Sequence, residues 1–81
     1  MPEVFRKGHY RFFFFSDERN EPAHVHVESG HQYAKFWLEP VELAASGGYR
    51  AFELNEIRRL IILHQEVCKK KWNEHASRKK S

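Results

Sequence analysis

The sequence predicts an α+β domain, a small antiparallel sheet of three to five strands followed by one long C-terminal amphipathic helix. Two observations carry this. Between Val4 and Ala45, short runs of apolar and polar residues alternate with a period of two and are separated by turn residues. After the breaker Ser46-Gly47-Gly48, from Phe52 to His75, the apolar period changes to 3.6. The length sets the scale: 81 residues make one small domain with a modest core. Residues 1–76 read as that domain and 77–81 as a basic, frayed tail.

Val4–Arg6 is the first short strand. Lys7-Gly8-His9 is a turn, because glycine takes the positive φ that a tight hairpin needs. Tyr10–Ser16 is the strongest strand, aromatic on both faces and therefore central. Asp17–Ala23 is a polar loop with Asn20 and Pro22. His24–Glu28 is a strand of β-branched valines alternating with polar residues. Ser29-Gly30-His31-Gln32 turns the chain into the strand Tyr33–Leu38, which Pro40 stops. Val41–Ala45 adds one more short extended piece. In the helix, Leu54, Ile57, Leu60, Ile61, His64, Cys68, Trp72 and His75 share one broad sector, which makes His64, Cys68 and His75 core positions rather than ligands. Ile62, Leu63 and Val67 fall outside the sector and point to a second apolar contact, with a second copy or a partner. The expected core comprises Phe12 or Phe13, Val25, Val27, Phe36, Leu38, Leu54, Ile57, Ile61 and Trp72.

Composition narrows the functions. One cysteine, Cys68, excludes an intrachain disulfide framework and a cysteine-built zinc site, and suits a reducing cytoplasm. No run approaches the length of a membrane span, and the N-terminus lacks the order of a signal peptide. The net charge of +3 is uneven. Residues 69–81 carry six basic side chains against Glu74, whereas the rest of the chain is slightly acidic. Such an end attracts polyanions, nucleic acid above all, or simply complements a helix dipole.

The stretch Glu21-Pro22-Ala23-His24-Val25-His26-Val27-Glu28 organises the remainder. Successive side chains of a strand point to opposite faces, so Val25 and Val27 share one face and His24, His26 and Glu28 the other. The helix is expected over Val25, Val27, Ala34, Phe36 and Leu38. The open face then presents His24, His26, Glu28, Lys35 and Trp37, with Tyr33 and Arg11 alongside.

Several motifs occur in a fixed order. They are Tyr-Arg-Phe-Phe-Phe-Phe-Ser at 10–16, Glu-Pro-Ala-His-Val-His-Val at 21–27 and Ala-Lys-Phe-Trp-Leu-Glu-Pro-Val-Glu-Leu-Ala at 34–44. A Glu-Leu-x-x-Ile-x-x-Leu helix start at 53–60 and Trp-Asn-Glu-His at 72–75 follow. In this the chain resembles the small bacterial domain-of-unknown-function family numbered 4160, over roughly residues 1–76. The resemblance implies a genetic context rather than a mechanism. Members are often predicted toxin components of toxin–antitoxin pairs, encoded beside another small family numbered 2442, which makes a small antitoxin protein the expected partner.

Three readings of the histidine face stand open. The first is an RNA-directed toxin, a nuclease or an RNA binder: in a nuclease, His24 and His26 exchange protons in metal-independent cleavage, and Lys35 or Arg11 stabilises the transition-state charge. Tyr33 and Trp37 stack bases, and Lys69, Lys70 and Arg78 draw phosphate. The second is a metal site of His24, His26 and Glu28 with His9 or His31. The third is a non-catalytic protein-interaction module that binds a small partner protein or nucleic acid, with the histidines buried or in an interface. A nuclease needs both imidazoles exposed at a basic, concave surface. No cofactor and no membrane attachment are expected, and a homodimer or a partner complex is.

Overall fold

The computed structural model of the chain describes residues 3–14 and 21–80, with residues 75–80 described as backbone alone. Five strands form a single antiparallel sheet in sequence order: β1 (Glu3–Lys7), β2 (Tyr10–Phe13), β3 (His24–Ser29), β4 (Gln32–Leu38) and β5 (Val41–Gly47). The β1–β2 and β3–β4 turns close tightly because Gly8 and Gly30 adopt φ of 61° and 58°, a region that other residues enter only with strain. The strand read as Tyr10–Ser16 is shorter in the fold. Its ladder ends at Phe13, Phe14 follows as a buried residue, and Phe15 and Ser16 lie outside the described residues.

Alternation then sorts the side chains. Phe12 pairs with Val27, Val27 with Ala34, and Val25 with Phe36, so these residues share one face with Leu38. Against that face pack Ile57, Ile61, Cys68 and Trp72 from the C-terminal helices, and together they form the core. Burying one such aliphatic side chain is worth about 1.5–3 kcal/mol. The expected core residues are buried, except that Leu54 is only partly covered. Phe12 and Phe13 are both buried, which agrees with a central β2 shielded on both sides.

The C-terminal segment is not the one long helix that the periodicity predicts. It is two helices, α1 (Ala51–Leu63) and α2 (Gln65–Lys80), separated at His64. The start of α1 is secured by Glu53, whose carboxylate accepts the Arg50 backbone N–H at 2.9 Å. The break has a side-chain cause. Nδ1–H of His64 donates to the Leu60 carbonyl at 2.9 Å, the same oxygen that accepts the His64 backbone N–H at 3.1 Å. The imidazole is also stacked on Phe5 of β1 at 4.3 Å, and Gln65 Nε2 donates to the Leu38 carbonyl at 2.6 Å. These tertiary contacts seat His64 at φ −107°, ψ 19°, off the helical values. The buried stripe Ile57, Ile61, Cys68, Trp72 nevertheless keeps its phase across the break. Backbone of α2 carries the chain past residue 76 to Lys80. Among the described residues no helix is long and apolar enough to cross a membrane.

β5 forms one edge of the sheet. Lys35 pairs with Ala45 and Phe36 with Leu43, which leaves Ala44 as a bulge. At the start of the same strand, Arg58 Nε donates to the Val41 carbonyl at 3.2 Å.

Candidate functional site

The face opposite the helices is assembled by register alone. Arg11 lies opposite Glu28 and Glu28 opposite Tyr33. Phe13 lies opposite His26 and His26 opposite Lys35. His24 lies opposite Trp37. The residues read from the sequence as sharing one face therefore do so: Arg11, His24, His26, Glu28, Tyr33, Lys35 and Trp37.

Both imidazoles are interior. His26 is 3% exposed and lies between the Phe13 ring at 5.6 Å and the Tyr33 ring at 5.8 Å, with its Nδ1 2.9 Å from the Tyr33 hydroxyl. His24 is 0% exposed. Its Nδ1 lies 2.9 Å from the Pro22 carbonyl, which can only accept, so that nitrogen carries the hydrogen. Around the His24 ring stand His26 at 5.1 Å and Trp37 at 5.7 Å, both edge-on, and Trp72 of α2 at 4.8 Å. Trp72 also meets Phe14 edge-on at 5.3 Å, so α2 closes the end of the sheet where His24 sits.

The cations of this face are engaged. Arg11 is 2.6 Å from Glu28 and lies over Phe13, its guanidinium carbon 4.9 Å from the ring centre. Lys35 Nζ is 2.6 Å from Glu21 and 4.8 Å from the Trp37 ring centre. Glu42, opposite Trp37 on β5, puts a third carboxylate on this face. Glu21 also stands 3.8 Å from His24 Nδ1.

The remaining predicted residues lie elsewhere. Lys69 belongs to α2 and holds Glu39 at 3.1 Å and Glu66 at 3.9 Å, contacts that raise its pKa, with the Glu39 bond the larger cause. Lys70 is exposed on the same helix. The fold thus puts Lys69 and Lys70 on the helix side of the sheet, away from the histidine face. The Arg78 side chain lies outside the described residues. His9 and His31 are exposed in the β1–β2 and β3–β4 turns, and among the described residues no three His, Cys, Asp or Glu side chains are grouped to hold a metal ion.

Sequence reasoning missed Glu21 as the partner of Lys35, Phe13 as a wall of the His26 site and Trp72 as the helical cover of His24. Glu21 stands directly before Pro22 in the organising stretch, which is a usable signal. The Trp72 contact has none, because it joins elements far apart in sequence. Also missed were two hydroxyl contacts at the other end of the sheet. Tyr10 donates to Glu56 at 2.9 Å, and its pKa is pushed up to about 12, chiefly by burial and then by that carboxylate. Ser29 and Tyr49 hydroxyls lie 2.9 Å apart.

A family model described as Domain of unknown function (DUF4160) matches residues 10–73. This chain belongs to that family. The DUF4160 span opens at the first residue of β2 and closes just after Trp72, so it contains His24, His26 and the residues around them together with the part of α2 that carries Trp72. Among curated proteins and solved structures, no match to the chain is found.

Proposed function

We propose that this DUF4160 domain is a non-catalytic protein-interaction module in which His24 and His26 are parts of the scaffold. The observation that carries the reading is the burial of both rings, at 0% and 3% exposure. A general acid or base must come within hydrogen-bond reach of the reacting group. Rings enclosed by Phe13, Tyr33, Trp37 and Trp72 offer a phosphodiester no such approach. Charge supports the same conclusion. Affinity for RNA rests on cations available to phosphate, and Arg11 and Lys35 are each held 2.6 Å from a carboxylate. Large apolar side chains also stand exposed: Leu43, Phe52, Ile62, Leu63 and Val67. Such residues, most of them gathered on the helices, fit a protein surface better than a nucleic acid.

The test sets this reading against the RNA-directed reading of the histidine face. Purified domain and its His24→Ala and His26→Ala variants are incubated with single-stranded RNA, and their melting temperatures are measured alongside. The expected result is no cleavage by the parent and a lowered melting temperature for both variants. Cleavage by the parent that a histidine variant loses at an unchanged melting temperature would return the function to RNA.

A further inference from the structure

We infer that a second copy of this chain docks on the outer surface of α1 and α2, antiparallel to the first and centred on Leu63. The inference rests on the interaction-module reading, whose partner it names. The buried stripe Ile57, Ile61, Cys68, Trp72 keeps its phase through the break at His64, so the outer stripe keeps its phase too. Residues 56, 59, 63, 66 and 70 are spaced by three and four and therefore lie along one flank. All five are exposed. At their centre Leu63 is 76% exposed, with Val67 one turn on and Leu60 one turn back, the latter joining the flank to the core. Phe52 extends the same flank at the start of α1 and is also exposed.

The charges along this flank choose the occupant and its direction. Their order is Glu56, Arg59, Leu63, Glu66, Lys70. A parallel second copy would set each charge against its own kind, which is destabilising. An antiparallel copy, with a two-fold axis at Leu63, sets Glu56 opposite Lys70 of the other copy and Arg59 beside Glu66 of the other copy. Symmetry repeats each pair, so four ion pairs frame the leucine contact. Arg59 makes no ion pair among the described residues, so it is available for this. Pairs at such a surface are individually weak, and their part is to set orientation, while Leu63, Val67 and Phe52 supply the apolar contact. The β5 edge is a poor alternative route, because the bulge at Ala44 and the Arg58 bond to the Val41 carbonyl interrupt the strand that a second sheet would join.

Sedimentation equilibrium of the full chain over rising concentration tests the inference. The parent is expected to be dimeric and Leu63→Glu monomeric, with an unchanged helical circular-dichroism signal. Arg59→Glu is expected to raise the dimer dissociation constant roughly tenfold, and Arg59→Glu combined with Glu66→Arg to return it toward the parent value. A parent that stays monomeric up to about 1 mM overturns the inference. So does a dimer indifferent to Leu63→Glu, or a double charge reversal that restores nothing. RNA cleavage would overturn the functional reading and leave the dimer standing, so the two failures are distinguishable.

Discussion

At the scale of single residues, His26 shows what an alternating strand pattern can and cannot convey. The period of two is enough to place His24, His26 and Glu28 on one face, and the register with β2 and β4 places them there. Burial is another matter, because the rings against His26 are Phe13 and Tyr33 and a ring against His24 is Trp72, which come from three other elements. The Tyr33 hydroxyl is the His26 contact most easily removed. Tyr33→Phe should lower stability by about 1–3 kcal/mol in urea denaturation, the usual cost of taking one partner from a buried hydrogen bond. On the opposite face, Ile61 is wholly enclosed. Ile61→Ala should cost about 2–5 kcal/mol by the same measurement. Cys68 is buried too, and burial pushes its thiol up to about 11. It should resist thiol reagents near neutral pH in the native protein and react once denaturant opens the core.

At the scale of elements, the strand order, the hairpin turns and the change of period after Ser46 are legible because they rest on local chemistry: glycine at Gly8 and Gly30, valines in β3, the breaker Ser46-Gly47-Gly48. The division of the helix is not legible. His64 fits the apolar stripe of a continuous helix, and only its stacking on Phe5, near the other end of the chain, together with its bond to Leu60, sets it off the helical path. The contact of β2 with α1 makes a separate prediction about pH. Burial and Glu56 favour the neutral Tyr10 hydroxyl in the folded protein, moving its pKa from 10.0 to about 12. The associated stability is complete below pH 10 and is lost as the pH rises from 10 toward 12, where the unfolded chain ionises more readily. Urea midpoints should therefore fall over that interval, and Tyr10→Phe should fall less steeply than the parent.

At the scale of the whole molecule, two side chains of the helical layer reach over to the β4–β5 connection: Gln65 to the Leu38 carbonyl and Arg58 to the Val41 carbonyl. They tie the layers together where the sheet ends, and neither carries a sequence signal, since both are long polar residues beside an apolar stripe. Arg58→Ala should lower stability by about 0.5–1.5 kcal/mol, read from the urea midpoint. The same joining of layers recurs at this end of the sheet, where the chain's two tryptophans, Trp37 of the sheet and Trp72 of α2, both meet the His24 ring. This gives the unlabelled protein an optical gauge of its own. If α2 lifts from the sheet, the emission of Trp72 changes first, while Trp37, still beneath Lys35, holds its emission until the strands part. A Trp37→Phe variant would reduce that light to a single reporter of whether the helix is seated.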